Sequence, residues 1–230
     1  MNAAESHLLE EGDHSRAAED YLKAIYKLEG PGSSVSTSAL AAELGRSAAS
    51  VTNMVKNLAE QGLLEHRPYY GVRLTAEGES AALRIIRRHR VIESYLIEKL
   101  GYTWDGVHEE AERLEHAASD GLVDRMARAM GEPAFDPHGS PIPSSEGEIE
   151  ERAVTRLTEV QKEVPAVVRE VSDHDAEKLR RAGALGLVPG ARVVVCHEED
   201  APEDVLVVRI GGEEHEVARA LASAISVERL

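Results

Sequence analysis

The sequence predicts an α+β fold in which helices come first and short strands come last. Three observations predict this order. Before residue 131, apolar residues recur at spacings of three and four, the period of a helix that is buried on one face. A proline-rich stretch follows at 131–145, and the β-branched runs beyond it are typical of strands. Aromatic residues make up only 3% of the chain, so we expect aliphatic cores.

The N-terminal part is predicted to hold three helices and a hairpin. The helices are expected at 15–29, 36–44 and 47–61, and Gly45 allows a tight turn between the second and the third. Two short extended runs around a proline and glycine turn predict a hairpin at 63–75. Helix, glycine turn, helix and hairpin is the order of a winged helix-turn-helix.

The middle part is predicted to be helical. A long helix is expected at 77–100, a second from Trp104 to about residue 119, and a third at 121–130. Trp104 is expected to pack at the start of its helix. Four prolines make 131–145 irregular, and the polar, acidic stretch 145–158 is the expected linker.

Short strands dominate the C-terminal part. The β-branched runs lie at 166–171, 191–196 and 205–210. Gly211-Gly212 predicts a two-residue hairpin turn, and 175–184 is expected to be a short helix. Several short strands so close together suggest a small barrel. Cys196 lies in one of these runs, where a buried apolar role is expected.

Charge is unevenly distributed. The chain has 26 Lys and Arg against 42 Asp and Glu, a net charge of −16. Residues 131–230 carry 11 basic and 21 acidic groups, whereas 46–76 has four basic groups against two acidic ones. Phosphate binding requires basic groups, so the whole-chain charge argues only weakly against a DNA surface in the N-terminal part.

Other features exclude several classes of protein. No apolar run approaches the roughly 18 residues of a membrane helix, and the polar N-terminus argues against a signal peptide. A single cysteine excludes a disulfide framework and a cysteine-rich metal site. No nucleophile elbow or phosphate loop is present. We therefore expect a soluble, cytoplasmic protein without a membrane segment.

The third predicted helix carries short polar side chains on the face opposite its apolar stripe. Hydroxyls and amides of this kind reach phosphates and base edges in the major groove. The predicted DNA-binding residues are Ser47, Ser50, Thr52, Asn53 and Lys56. A small helical domain with an ordinary polar outer face is the alternative explanation.

A stripe of metal-binding residue types follows Trp104. His108, Glu112, Glu115 and His116 stand at i, i+4, i+7 and i+8, which places them on one side of one helix. His89 and Glu93 form another i, i+4 pair on the preceding helix. Glutamate and histidine are common on solvated helices, but six of them on two successive helices favour a metal site.

The sequence resembles the diphtheria-toxin-repressor family of metal-dependent transcriptional repressors, in its long form with a C-terminal SH3-like domain. The resemblance runs from about Ser15 to Leu230. Its most specific stretches are 18–22, 47–55, 87–90, 107–116 and 139–143.

The resemblance implies two metal sites in each subunit. The residues of the primary, activating site would be Asp20, Glu112, Glu115 and His116. Those of the ancillary site would be His89, Glu93 and His108, with Asp175 as a ligand from the SH3-like domain. The resemblance also implies that the helices of 77–130 form the dimer interface.

Two departures from iron-sensing members indicate the metal. Those members have methionine in place of Asp20 and cysteine in place of Glu112. Carboxylates suit Mn²⁺, whereas sulfur helps to hold softer metals, and the manganese-sensing branch has the same acidic pair. Lys23 stands where short manganese-sensing members have a glutamate, so two separated sites are expected rather than one compact centre.

The sequence thus predicts a homodimeric repressor of metal-uptake genes that binds a double-stranded DNA operator and is not an enzyme. The expected activating metal is Mn²⁺, with Fe²⁺ as the second choice. The expected domains are a winged helix at 1–76, a helical metal-binding and dimerisation domain at 77–144, the linker at 145–158, and an SH3-like barrel at 159–230. A carboxylate–histidine metalloenzyme and a metal-buffering or transport accessory protein remain alternatives. Neither alternative requires the polar face of the third helix.

Overall fold

The computed structural model of the protein describes residues 15–30, 33–67, 70–150, 152–196 and 202–230, without the side chains of 66 and 67. The chain divides into two compact units, Met1–Ile86 and Arg87–Leu230. Each unit is described by itself. Within the described residues, no helix has the length and apolarity needed to cross a membrane.

Three helices of the first unit confirm the predicted helix-turn-helix. They are α1 (Arg16–Leu28), α2 (Thr37–Glu43) and α3 (Ala48–Glu60). A serine immediately precedes each helix, and its hydroxyl accepts a hydrogen bond from the N–H group three residues further on. Such caps satisfy N–H groups that have no partner inside the helix.

A hairpin completes the first unit. Its strands are β1 (Leu64–Arg67) and β2 (Gly71–Leu74). Val35 pairs with Val72 of β2 and extends this small sheet. Gly71 has φ +97°, and a Cβ atom there would lie 2.5 Å from the carbonyl oxygen of Val35. A glycine is therefore required at this turn.

An aliphatic core holds the first unit together, as the low aromatic content predicts. Leu22, Ile25, Leu40, Val51 and Leu58 from all three helices have no exposed surface. Burying each such side chain contributes roughly 1.5–3 kcal/mol. These contacts fix the orientation of α3, whose opposite face is exposed.

The helical region differs from prediction in one element. Helix α4 (Ala76–Leu100) begins in the first unit and ends in the second, and α6 (Asp120–Ala129) lies where it was expected. Helix α5 (His108–Leu114), however, begins four residues later and ends about five residues earlier than predicted, so Glu115 and His116 lie just after it. Trp104 instead lies in a turn, packs against the core of the C-terminal domain and donates a hydrogen bond to the carbonyl oxygen of Pro137.

The C-terminal domain is built on a six-stranded antiparallel sheet with the order β3-β8-β4-β5-β6-β7. The strands are β3 (Thr155–Arg156), β4 (Pro165–Val171), β5 (Arg192–Val195), β6 (Val205–Ile210), β7 (Glu213–Ala218) and β8 (Ile225–Arg229). Helices α7 (Ala176–Ala184) and α8 (Arg219–Ala222) pack their apolar sides into its core. Strand β3 lies inside the stretch predicted as linker, and neither β3 nor β8 was predicted.

The proline-rich loop at 131–145 is irregular and forms hydrogen bonds with strand β4. The N–H group of Val171 donates to the carbonyl oxygen of His138 at 2.9 Å, and the hydroxyl of Ser140 donates to Glu170 at 2.6 Å. Gly139 has φ +89°, and a Cβ atom there would lie 1.8 Å from the carbonyl oxygen of Arg169. The glycine permits this close approach, which fixes the position of His138.

Candidate metal centre and DNA-binding face

A buried cluster of imidazole and carboxylate groups lies between α4 and α5. His89 and Glu93 stand one turn apart on α4, with Nε2 of His89 3.0 Å from Oε1 of Glu93. His108, at the start of α5, brings its Nδ1 atom 3.1 Å from the same oxygen. Glu93 has no exposed surface and His89 only 3%. The structure thus brings together the three helical residues assigned to the ancillary site.

The C-terminal domain contributes Asp173 to this cluster. Its Oδ2 atom lies 3.6 Å from Nδ1 of His108 and 3.9 Å from Nε2 of His89. The predicted ligand Asp175 has another role. Its carboxylate caps α7 by accepting hydrogen bonds from the N–H groups of Glu177 and Lys178 at 3.0 and 3.1 Å. Asp173, two positions before Asp175, is thus the acidic residue of this segment whose carboxylate faces the cluster, and a ligand role for Asp175 stays a prediction.

The residues assigned to the primary site partly adjoin the same cluster. Glu115, which has no exposed surface, places Oε2 2.5 Å from Nδ1 of His89. Glu112 places Oε1 3.7 Å from Nε2 of His108. His116 has its Nε2 atom 3.5 Å from Oε1 of Glu115. The two predicted ligand sets are thus in contact, and their division into two metal sites stays a prediction.

Asp20 belongs to the other unit. It lies in α1, where it is partly buried between the buried residues Glu19 and Tyr21. Its assignment to the primary metal site stays a prediction.

The sequence reasoning missed two residues beside Glu93. Nδ1 of His138 lies 3.6 Å from Oε2 of Glu93, and both atoms are buried without a hydrogen-bond partner among the described residues. Asp136 lies next to them, and its Oδ1 atom accepts hydrogen bonds from the N–H groups of His138 and Ser140. The only sequence signal for them was an acid and a histidine two residues apart in the proline-rich loop.

The ionisable groups in this buried region shift one another's pKa values. Burial alone would raise the pKa of Glu93, but His108, His138 and His89 together hold that pKa well below its usual value. Burial alone would lower the pKa of His138, but Glu93 raises it to about 9. Burial and repulsion by Glu93 raise the pKa of Asp136 to about 7. The raised pKa favours the imidazolium form of His138 in the metal-free protein, and a metal bound to its Nδ1 atom would displace the proton from that atom.

The donor set fits a hard or borderline divalent cation. Every group in these clusters offers oxygen or nitrogen. A cation between Glu93 and His138 would satisfy two buried polar atoms that have no hydrogen-bond partner among the described residues. Cys196 takes no part, because its sulfur contacts Val194 and Glu214 in the C-terminal sheet. Carboxylate and imidazole ligands without sulfur suit Mn²⁺ and also accept Fe²⁺.

The predicted DNA-binding residues all lie on or beside α3. Ser47, Ser50, Asn53 and Lys56 are exposed, and Thr52 is partly buried. Leu44 and Gly45 form the turn before the helix, and Gly45 has φ +60°. Val51, Val55 and Leu58 anchor the helix from the other side. The arrangement can present the N-terminal half of α3 to a major groove.

Three family models match successive parts of the chain. Residues 13–72 match the iron dependent repressor N-terminal DNA binding domain, and 75–144 match the iron dependent repressor metal binding and dimerisation domain. Residues 155–229 match the FeoA domain.

Curated relatives extend the match over nearly the full length. The iron-dependent repressor IdeR of Mycobacterium leprae (strain TN) is 30% identical over 224 residues, which is 92% of this chain and 96% of that protein. The diphtheria toxin repressor of Corynebacterium jeikeium (strain K411) is 28% identical over 80% of this chain and 87% of the relative.

Solved structures agree with these relatives. A manganese-dependent transcriptional repressor in complex with manganese is 38% identical, with a TM-score of 0.85 over 93% of this chain and 100% of that one. The manganese regulator SloR is 33% identical, with a TM-score of 0.76 over 93% of this chain and 98% of that one. These proteins are transcriptional regulators rather than enzymes. The predicted resemblance is confirmed, and the chain belongs to the iron-dependent repressor family of metal-dependent transcriptional repressors.

Proposed function

We propose that the protein is a homodimeric, cytoplasmic repressor of metal-uptake genes that binds a double-stranded DNA operator. Mn²⁺ is the preferred activating metal, and Fe²⁺ is the second choice. The observation that carries the proposal is the cluster of the buried His89 and Glu93 with the partly buried His108 and Asp173, in a chain that also has a winged helix. Helix-turn-helix dimers of this kind bind two half-sites on one face of DNA.

The choice of Mn²⁺ rests on ligand chemistry. Carboxylates outnumber imidazoles among the residues proposed for the primary site, and no sulfur is among them. Oxygen-rich sets of this kind suit Mn²⁺, whereas thioether or thiolate ligands would favour softer metals. A bound divalent cation would offset the mutual repulsion of the carboxylates.

We infer that activation depends on joining the winged helix to the helical region. Asp20 would contribute from α1, and Glu112, Glu115 and His116 would contribute from and just after α5. Such a link fixes the separation of the two recognition helices for major grooves roughly 34 Å apart. A coupling of about 1–3 kcal/mol would change DNA affinity roughly 5–150-fold.

Exposed apolar side chains in the helical part of the chain agree with a homodimer. Leu100 is 60% exposed, Tyr102 40% and Leu114 37%. All three lie in 75–144, the part that matches a dimerisation domain. This match favours a second copy of the chain as the partner of the region, and we propose that the second copy covers these side chains.

Fluorescence anisotropy with DNA from the promoter of the protein's own gene tests the proposed function. The full-length protein is titrated onto the DNA with Mn²⁺, anaerobic Fe²⁺, Zn²⁺ or a chelator at constant salt and pH. We expect the tightest binding with Mn²⁺, weaker activation by Fe²⁺, and little binding with the chelator. Equal affinity with and without metal would overturn metal activation, and stronger activation by Zn²⁺ would overturn the metal assignment.

A further inference from the structure

The carboxylate of Glu93 faces two different groups of residues. Its Oε1 atom lies 3.0 Å from Nε2 of His89 and 3.1 Å from Nδ1 of His108, the helical residues of the ancillary site. Its Oε2 atom lies 3.6 Å from Nδ1 of His138, and neither of these two atoms has a hydrogen-bond partner among the described residues. Glu93 has no exposed surface and His138 only 1%. Buried polar atoms in this state are costly, which indicates that a further group satisfies them.

The other ring nitrogen of His138 leaves Nδ1 available to a metal. Nε2 lies 2.9 Å from the carbonyl oxygen of Trp104, and because a carbonyl only accepts, Nε2 carries a proton and donates it. Metal-binding histidines almost always hold their second nitrogen in this way. The 3.6 Å between Nδ1 and Oε2 of Glu93 is too long for a hydrogen bond. It is close to the separation of roughly 3.4 Å between two atoms that are each bound at about 2.1 Å to one tetrahedral ion.

Asp136 brings a second carboxylate to the same point. It is 6% exposed, and one ligand atom from each of Glu93, Asp136 and His138 lies within 4.8 Å of the other two. Oδ1 of Asp136 accepts hydrogen bonds from the N–H groups of His138 and Ser140, both at 2.9 Å. Arg90, whose Nε atom lies 3.6 Å from Oδ2 of Asp136, supplies one positive charge against two carboxylates. Burial and repulsion by Glu93 raise the pKa of Asp136 to about 7, and a divalent cation would relieve this repulsion.

We propose that Glu93, Asp136 and His138 form a third metal site, which holds a structural Zn²⁺ ion. Nitrogen and oxygen ligands generally bind Zn²⁺ more tightly than Mn²⁺. Three protein ligands and one water molecule are a common set for zinc bound by histidine and carboxylate. All three side chains are buried, so this ion exchanges slowly and is retained under conditions that remove Mn²⁺ from the other sites.

The zinc ion joins α4 to the proline-rich loop. It binds Oε2 of Glu93 while Oε1 stays directed at His89 and His108, and it thereby fixes the orientation of a ligand of the exchangeable metal. The inference goes beyond the proposed function, because it concerns neither DNA nor the activating metal. The two Mn²⁺ ions predicted for each subunit are bound in addition to this zinc.

Elemental analysis of the untagged, full-length protein tests the third site. The protein is produced in zinc-containing medium and dialysed extensively against EDTA under native conditions, and its zinc and manganese are then measured by mass spectrometry. We expect about one Zn²⁺ per subunit and no Mn²⁺ to remain, with the zinc released only on unfolding in guanidinium. X-ray absorption at the zinc edge of the same sample should show one imidazole and otherwise oxygen ligands.

Variants assign the retained ion to these residues. His138→Gln and Asp136→Asn each remove one ligand, and each should lower the retained zinc to near zero. In Asp136→Asn an amide oxygen can still accept from the N–H groups of His138 and Ser140, so the loop should fold; circular dichroism and thermal unfolding check both variants. His108→Ala and His116→Ala, which alter the ancillary and the primary site, are the matched controls and should keep the zinc.

Three results would overturn the inference. No retained zinc in the wild type would mean that a proton on Nδ1 of His138, rather than a metal, faces Glu93. Two imidazoles at the zinc would place the ion among the ancillary ligands. Zinc that is kept in both His138→Gln and Asp136→Asn would belong to another site. Mn²⁺-dependent DNA binding is measured separately, so each of these results leaves the proposed function intact.

Discussion

The Nδ1 atom of His89 lies 2.5 Å from Oε2 of Glu115, and both side chains are buried. His89 was assigned to the ancillary site and Glu115 to the primary one. If the Nε2 atom of His89 binds metal, its Nδ1–H group donates to Glu115. Such hydrogen bonds orient metal ligands and alter metal affinity. The two sites are therefore expected to influence each other through this contact.

The contact leads to a prediction about metal stoichiometry. We expect His108→Ala to lower bound Mn²⁺ from two to one per subunit and to keep partial metal-dependent DNA binding. His116→Ala should abolish that binding. His89→Ala should also remove one metal, but it should weaken binding of the remaining one by about 10–100-fold because Glu115 loses its hydrogen bond with His89. Calorimetric titration measures the number of bound Mn²⁺ ions and their affinity in all three variants.

The DNA affinity of the same variants is compared with their metal stoichiometry. If His108→Ala and His116→Ala behave alike in both assays, the residues serve one shared centre and the two-site assignment fails. If His89→Ala resembles His108→Ala at the remaining site, the His89–Glu115 contact does not couple the sites.

A second prediction distinguishes Asp173 from Asp175. Asp173→Asn removes a carboxylate that faces His89 and His108, so it should weaken or abolish Mn²⁺ binding at the ancillary site. Asp175→Ala should leave metal affinity unchanged but lower the free energy of unfolding by about 0.5–2 kcal/mol, because α7 loses its cap. Calorimetry and urea unfolding of the metal-free protein measure the two effects. A loss of metal binding in Asp175→Ala alone would restore the original assignment.

The sequence was most informative where the geometry is local. The i, i+4 spacing placed His89 and Glu93 on one side of α4, and serine caps marked the starts of α1 to α3. A capping serine and a helical repeat depend only on neighbours along the chain, so they can be recognised without knowing the fold.

The sequence was least informative where distant segments meet. Asp173 and His138 reach Glu93 and His108 only because the proline-rich loop and the turn after β4 fold against the helices. The late start of α5 has the same origin, since Trp104 packs against the C-terminal core. No local repeat marks such contacts, so the sequence did not indicate the positions of Asp173 and His138 beside the helices.

Metal choice gives a third prediction. The double variant Asp20→Met with Glu112→Cys replaces two oxygen ligands of the proposed primary site by sulfur. Sulfur favours softer metals, so activation of DNA binding should shift from Mn²⁺ toward Fe²⁺, Co²⁺ or Zn²⁺. Anisotropy titrations with each metal measure the shift. If the double variant keeps the wild-type Mn²⁺ response, these two residues do not bind the activating metal.

The last prediction concerns Lys56, which is exposed on α3 and makes no hydrogen bond or ion pair within the described residues. As a phosphate contact it would release one counterion, so Lys56→Ala should reduce the slope of log affinity against log salt by about one unit. Affinity should fall similarly for all DNA sequences, because a phosphate contact carries no base information. Lys162→Ala, an exposed lysine in the C-terminal domain, is the control and should keep the wild-type slope. Mn²⁺ affinity without DNA should be the same in both variants, and an unchanged slope for Lys56→Ala would remove Lys56 from the DNA interface.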